Sequence, residues 1–449
     1  RGIEGEAAID RYLNGTLDDL YDPMLLKDME RAVSILCEAV DTGKKIRIVG
    51  DYDIDGVCST YILLQAFERL GSDVDFEIPD RIKDGYGINE SIIEQAHADG
   101  VEVILTCDNG ISAFHQVELA KKYGMMVVIT DHHEVPLDGE KEKIPPADAV
   151  IDPKQADCPY PFPEICGAVV AYKLVQVLYA RRGVPQMEWL DLLEFAAIAT
   201  VGDVMKLQDE NRILVKYGLK KMAQTKNLGL RRLAEKNNLD LGAITAYHIG
   251  FVIGPCLNAG GRLKTAKEAL ALLRAQSEEE AERLAEELKE LNDTRKDMTE
   301  QGTEAAKLQV ESWYQKDKVL VVFLPECHES LAGIIAGRLR EYYQKPAIVL
   351  TRGEEAVKGS GRSIDEYHMF KKLTEVSDLL LKFGGHPLAA GLSLEEKNID
   401  EFRRRLNENA GLTEEDFKAK VWIDVPMPVG YVTERLVREL SCLEPFGQG

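Results

Sequence analysis

The stretch Met125-Met126-Val127-Val128-Ile129-Thr130-Asp131-His132-His133 joins an apolar run directly to a carboxylate and two imidazoles. A strand that ends this way sets three possible metal or phosphate ligands at a sheet edge. Two earlier segments share the design. Lys45-Ile46-Arg47-Ile48-Val49 runs into Gly50-Asp51-Tyr52-Asp53-Ile54-Asp55-Gly56, and the run from Val101 to Thr106 leads into Asp108-Asn109-Gly110. Three strand ends carrying acids or histidines are what a metal site at the carboxyl edge of a parallel sheet requires.

Outward from these segments, strand and helix patterns alternate. Strands are predicted over 46–49, 74–78, 102–106, 125–129 and 148–151, and helices over 23–42, 57–70, 90–98 and 112–123. Such alternation predicts an α/β fold whose parallel sheet is covered on both faces. From Gly167 to about Asn237 the pattern is mostly helical. Residues 277–312 hold no proline and one glycine, and Ala281, Leu284, Ala285, Leu288 and Leu291 follow helical spacing. Acids outnumber bases there by 12 to 5, which reads as one long solvated connector helix. A second, smaller α/β unit starts at Val319, with another strand over 347–350. The tail carries a strand over 421–425 and a helix over 433–443, and ends at Pro445-Phe446-Gly447-Gln448-Gly449. The expected division is 1–276, the connector 277–312, 313–412, and a C-terminal piece 413–449.

At 449 residues the chain is too long for one ordinary core. A hydrophobic content of 45% with 29% charged residues fits a globular protein, and no apolar run is long enough to span a bilayer. The N-terminus has neither a signal-like apolar region nor an initiator methionine and reads as trimmed. Eight scattered cysteines without a C-x-x-C pair argue against structural zinc or a disulfide framework and favour the reducing cytoplasm. With 55 basic and 77 acidic residues the net charge is −22, which disfavours nonspecific nucleic-acid binding by the bulk surface. Clustered acids loaded with divalent cations can still receive phosphate.

Asp53 and Asp55 alternate on a short loop, so both can reach one ion or two neighbouring ions, with Gly50 and Gly56 allowing the chain to turn tightly. Asp108 could bridge two metals, His132 adds an imidazole, and Asp203 in Thr200-Val201-Gly202-Asp203-Val204 adds a further carboxylate. Mostly oxygen donors with one nitrogen favour manganese or magnesium. Two such ions activate water and stabilise the leaving oxygen in phosphoester hydrolysis. Taken singly, each piece is also an ordinary Asp-rich turn, helix cap or core histidine; it is their placement at successive strand ends that points to metal. Phosphate-handling candidates lie in the second half. Gly254-Pro255-Cys256-Leu257-Asn258-Ala259-Gly260-Gly261-Arg262 sets an arginine on a glycine-rich turn. Ser360-Gly361-Arg362-Ser363 and Gly384-Gly385-His386 offer backbone N–H groups beside a cation, and His328 precedes a helix.

Together these segments resemble the DHH phosphoesterase superfamily and, more narrowly, the RecJ family of single-strand-specific 5′→3′ DNA exonucleases, from about Tyr21 to the last residue. The resemblance implies a DHH domain joined by the long helix to a smaller DHHA1 domain. It implies that Asp53, Asp55, Asp108, His132 and Asp203 hold two divalent cations, Mn2+ or Mg2+, and that His133 contacts the scissile phosphate beside Asp131. Asp51 matches an acid of the first motif that is either a direct ligand or an orienting group. Asn258, Arg262, His328, Ser360, Arg362, Gly384, Gly385 and His386 match substrate-handling positions. Ser330 stands where a glycine is expected two residues after His328. Members of the family usually continue past the Pro-Phe-Gly-x-Gly segment into an OB-fold, so the chain reads as a core fragment. The implied substrate is single-stranded DNA in repair and recombination, and the implied partners are a single-strand-binding protein and a helicase.

The nearest rival is a relative acting on short oligonucleotides or cyclic dinucleotides. Such relatives carry a histidine four residues before the first paired aspartate, where this chain has Val49. A non-catalytic replication scaffold is disfavoured because every ligand position is occupied, and a manganese pyrophosphatase by the extra length.

Overall fold

The computed structural model describes residues 2–81, 84–421 and 423–447. Two compact units divide the chain: Arg1–Asn292 with Val429–Gly449, and Asp293–Pro428.

The first unit is built on five parallel strands, β1 (Ile46–Val49), β2 (Val74–Glu77), β3 (Val103–Cys107), β4 (Met126–Thr130) and β5 (Ala149–Ile151), in the order β2-β1-β3-β4-β5. Ile48 pairs with Phe76 on one side and Leu105 on the other, and Leu105 with Val128. Ile46, Ile48, Ile104, Leu105, Val128 and Ile129 are wholly buried. Helices on both faces leave no wet side, which is why these strands read as unbroken apolar runs rather than alternating ones. A two-residue hairpin, Leu137–Asp138 with Lys141–Glu142, has no counterpart in the sequence reading.

Around the sheet lie α1 (Met29–Thr42), α2 (Ile54–Arg69), α3 (Gly167–Arg182), α4 (Leu193–Gly202), α5 (Asp209–Met222) and α6 (Gly254–Leu263). The helix expected from residue 23 begins only at Met29. Asp28 takes a left-handed φ of 61° and accepts a hydrogen bond from Val150 N, which ties the chain to β5 and breaks the helical run. Gly43, with φ 67°, closes α1 in the left-handed conformation glycine tolerates best. The fully buried pair Lys173–Glu210, at 3.0 Å, joins α3 to α5.

The helix α7 (Glu278–Gln309) runs across the boundary between the units. It is not merely a solvated connector. Ala281 is fully buried, Ala285 and Leu288 belong to the core of the first unit, and Ala306, with Val310 just past the helix, belongs to that of the second. Its acidic face is the solvated one; the apolar stripe is core.

The second unit has strands β6 (Leu320–Phe323), β7 (Ala347–Arg352), β8 (Val357–Arg362), β9 (Leu380–Gly385) and β10 (Ala389–Leu394), in the order β9-β10-β8-β7-β6. Only β6 and β7 run parallel; the rest pair antiparallel. Helix α8 (Ala332–Tyr343) follows β6. Strands β8 to β10 escape sequence reading because their glycines and serines resemble turns. Gly359 and Gly361 in fact sit in the ladder, where a Cβ would meet the Leu350 side chain at 2.5 Å and Met369 at 3.0 Å. The strand expected over 421–425 does not form in its described residues, and Trp422 lies outside them. Gln448 and Gly449 also lie outside the described residues.

Candidate active site

The carboxyl ends of β1, β3 and β4 converge on one buried cluster. Asp51, Asp55, Asp108 and His132 are each at most 6% exposed. The β1–α2 loop folds back on itself: a Cβ on Gly56 would lie 2.4 Å from Asp51 O and 2.5 Å from Asp51 N. Asp53 caps α2, its Oδ1 accepting from Asp55 N at 3.0 Å and Gly56 N at 3.1 Å. Asp55, in the first turn of α2, accepts from Gly167 N and Ala168 N at 2.7 Å each, so the positive end of α3 holds its carboxylate.

Asp108 follows β3 with a left-handed φ of 60°, and its N–H donates to Thr130 O at 3.1 Å. Its Oδ1 lies 3.1 Å from His132 Nε2, which also faces Asp55 Oδ2 at 3.4 Å and Asp203 Oδ2 at 3.8 Å. Asp203 arrives on the C-terminal turn of α4. There Met205 N donates to Thr200 O and Val204 N to Val201 O, the pattern of a Schellman closure. Val204 holds the left-handed position at φ 62°, where glycine is usual. Gly202, just before, lets α4 close on α2, since a Cβ there would meet Ile54 Cγ2 at 2.6 Å.

Three overlapping groups of donor atoms result: Asp51, Asp53 and Asp108; Asp55, His132 and Asp203; and Asp108, His132 and His133. Within each group the atoms lie within 4.8 Å of one another. Burial and then Asp53 push Asp51 up to about 8; burial and then Asp55 push Asp203 up to about 8. Asp53 is raised, and Asp108 well above the carboxylate range, by burial and then Asp55. Among the described residues, Asp51 Oδ1, Asp108 Oδ1 and His132 Nδ1 are buried and find no hydrogen-bond partner. Burial, ahead of its acidic and basic neighbours, lowers the pKa of His132 and keeps its ring neutral, as a metal ligand must be. Crowded buried acids with orphaned oxygens and one neutral imidazole fit hard divalent cations.

Asp131 belongs to a different layer of the site. Its Oδ2 accepts from Ile111 N at 2.9 Å, and its Oδ1 from His132 N at 2.8 Å and pairs with His133 Nδ1 at 2.7 Å. Burial, the largest single influence, would raise Asp131, but the hydrogen bond and charge of His133, the Ile111 N–H and His132 together bring the carboxyl below its usual range. Burial likewise works against a charged His133, yet the hydrogen bond and charge of Asp131, with Asp55 and Asp203 adding to them, lift the imidazole to about 9.

Sequence reasoning misses three contributors. Tyr86 sits with its hydroxyl 3.1 Å from the His133 ring nitrogens and donates to Asp108 O at 3.0 Å. Asn109 donates to Val49 O and Cys107 O and accepts from Ile88 N, locking the ends of β1 and β3 together. Gly167 leaves room for Asp108, whose Cβ would stand 2.7 Å from a Cβ there. None of the three belongs to an acid or histidine pattern, so periodicity and ligand spacing give no signal for them.

The remaining predicted residues divide between the units. Asn258 and Arg262 stand four apart on α6, one above the other on a helix face. The expected glycine-rich turn is helix. Its glycines serve close packing instead: a Cβ on Gly261 would lie 2.3 Å from Tyr52 O, in the loop that carries Asp51 and Asp53. In the second unit, Ser360 and Arg362 lie on β8 with Gly384 and Gly385 two strands away on β9. The backbones of Ser360 and Arg362 are paired on both sides, by β7 and β10, so those two do not offer the free N–H groups expected of a turn; among the described residues β9 is paired on one side only. The Arg362 guanidinium rests against Gly333 at the start of α8, 3.0 Å from where a Cβ would be. His328 Nδ1 pairs with Ser330 Oγ at 2.7 Å, so the serine in place of glycine fixes the imidazole. His386 is exposed at the β9–β10 turn, its N–H donating to Ala389 O.

Residues 45–200 match the DHH family N-terminal domain, and residues 316–411 the DHHA1 domain. The chain is 38% identical over 451 residues to the single-stranded-DNA-specific exonuclease RecJ of Bacillus subtilis, covering 100% of this chain and 56% of that protein. To the same-named protein of Escherichia coli it is 36% identical over 471 residues, covering 100% of this chain and 80% of the relative. The crystal structure of RecJ in complex with Mn2+ from Thermus thermophilus superposes with a TM-score of 0.82 at 31% identity, over 98% of this chain and 62% of that one. The chain thus spans little more than half of its Bacillus relative. Its identity along the full length, together with the two domains in order, means that it belongs to the RecJ family of single-stranded-DNA-specific exonucleases.

Proposed function

We propose that this protein is a metal-dependent exonuclease that hydrolyses single-stranded DNA from the 5′ end to mononucleotides, in repair and recombination. The observation that carries the reading is the overlap of three donor groups, with atoms within 4.8 Å of one another, at successive strand ends. Asp53, Asp55, Asp108, His132 and Asp203 would hold two divalent cations, Mn2+ or Mg2+, with Asp51 completing the carboxylate wall. When bound, such ions supply activation of water and neutralisation of phosphate charge.

The chain's own residues do the rest. The α3 N-terminus and the Asp53 cap hold the carboxylates in position before any ligand arrives. Asp131 keeps His133 cationic at neutral pH and fixes its ring, so the imidazolium can contact the scissile phosphate. Asn258 and Arg262 on α6 would bind phosphates of the strand near the Tyr52 loop. His328, Ser360, Arg362, Gly384, Gly385 and His386 form the substrate-binding set of the second unit. The direction of digestion rests on family membership.

Eight free thiols agree with a reducing, cytoplasmic setting, and among the described residues no helix is long and apolar enough to cross a membrane. A single-strand-binding protein and a helicase, which present or generate the strand, are the partners this reading calls for.

The test uses 5′- and 3′-labelled single strands, a duplex and dinucleotides, with Mn2+ and then with EDTA, for the wild type and Asp108→Ala. Mononucleotides released from the 5′ end of single strands alone, and abolished by chelation and by the substitution, are the expected result. Cleavage confined to dinucleotides would overturn it.

A further inference from the structure

The acid cluster draws on the carboxyl ends of β1, β3 and β4, and the end of β5 lies beside them. Ile151 pairs with Thr130, so Asp152, the first residue after β5, leaves the sheet next to Asp131. Asp152 is wholly buried, and among the described residues its Oδ2 finds no hydrogen-bond partner. Burial, then Asp131, pushes its carboxyl up to about 7. The sheet thus brings one more strand end to the edge of the site, and this one carries a lysine as well as an acid.

That lysine, Lys154, is placed by the strand end itself. Asp152 Oδ1 accepts from Lys154 N at 2.8 Å, which closes a tight Asx turn. The Gln155 side-chain amide donates to Val150 O at 2.9 Å and to Asp152 O at 3.2 Å, pinning the loop back onto β5. The Lys154 side chain is 18% exposed, and its Nζ pairs at 2.9 Å with Oε1 of Glu134, the residue after His133. Glu134 is 74% exposed, so water screens the pair and the ammonium is held weakly. The lysine charge is felt inside the cluster. Behind burial and His133, it helps to lower His132; with His133, it eases the rise that burial, Asp55 and Asp53 impose on Asp203. An ordinary surface ion pair would act on neither.

We propose that Lys154 is a phosphate-contacting residue of this site: its ammonium leaves Glu134 and takes an oxygen of the reacting phosphate from the β5 edge. The proposal rests on the single-strand reading above. A lysine suits the place because it is a compact charge on a flexible stem, able to follow the phosphate as negative charge builds on its oxygens. Asp152 touches no substrate; it acts through the Lys154 N–H and is a positioning residue.

The test compares the wild type with Lys154→Met, Lys154→Arg and Glu134→Gln. Each digests a single strand with Mn2+ at several salt concentrations, and each is titrated calorimetrically with Mn2+ alone. Methionine keeps most of the stem and removes the charge, so kcat/KM should fall by about tenfold or more, and its salt slope should shrink by about one. Lys154→Arg should keep most of the wild-type value, and Glu134→Gln, which frees the ammonium, should not lower it. The Mn2+ affinity of Lys154→Met should hold or tighten, because a cation has left the neighbourhood of the carboxylates. A merely structural lysine would weaken it instead. An unchanged kcat/KM, or parallel losses of Mn2+ binding and turnover, overturns the contact and leaves the exonuclease reading in place. Wild-type cleavage confined to dinucleotides overturns the single-strand reading. The lysine contact is then decided by the same comparison on the dinucleotide, standing with a loss of about tenfold and falling without one.

Discussion

Asp131 Oδ1 lies 2.7 Å from His133 Nδ1, while the other oxygen of the same carboxylate is taken by the Ile111 N–H at 2.9 Å. Within the Asp-His-His sequence, therefore, the aspartate does not point at the ions' place. It is a fully engaged positioning group that fixes one histidine, and the other histidine, His132, faces the acids.

Asp131→Asn should thus separate ion binding from turnover. The amide keeps much of the hydrogen-bond geometry but not the charge that sustains a cationic His133. Turnover should fall by about 10²-fold. Mn2+ affinity, read by isothermal titration, should change far less. An equal loss in both would put Asp131 among the ion ligands.

Gly167→Ala should damage the cluster without touching any acid. The new Cβ would meet Asp108 Cβ at 2.7 Å and Oδ1 at 3.0 Å, in a place where backbone and carboxylate are both pinned. Overpacking of this sort costs about 1–3 kcal/mol. A lower melting temperature together with weaker Mn2+ binding is the expected pair of results.

Val204→Gly should stabilise the fold. A β-branched residue at φ 62° is strained, and relief of such strain is worth about 1 kcal/mol. The variant should therefore melt higher. A lower melting temperature would mean that the left-handed turn carries no strain.

Glu194 offers a pH effect remote from the acid cluster. Burial raises its carboxyl to about 7, against which the Thr225 hydroxyl bond works only partly, and among the described residues Oε2 has no partner. The folded state then holds a proton that the unfolded chain releases near its ordinary value of 4.5. Stability from this group is complete below that value, declines as pH rises between the two, and stays low above about 7. Glu194→Gln removes the titration, so its melting temperature should exceed that of the wild type at pH 8, by up to about 3 kcal/mol in stability, and the difference should shrink toward pH 5. A constant difference across that range would show that Glu194 does not titrate there.

The parallel sheet and the membership of the acid cluster can be read from the residues in order. Fully buried strands such as β3 and β4 must be continuous apolar runs, and the residues that follow them must stand at one edge, so Asp108 and His132 were legible together. The long helix α7 was legible too, because its stripe and its acids follow one period. What depends on neighbours distant in the chain appears only in the folded molecule. Glycine has no side chain with which to declare its purpose. Gly261 and Gly361 read as turns, yet one lets a helix touch the Tyr52 carbonyl and the other sits inside a strand ladder. Tyr86 reaches His133 across 47 positions, Gly167 makes room for Asp108, and Tyr247 and Phe251 meet Val204 and Phe446 around one cavity. Local periodicity records which face of an element is buried; it carries no record of which distant element buries it.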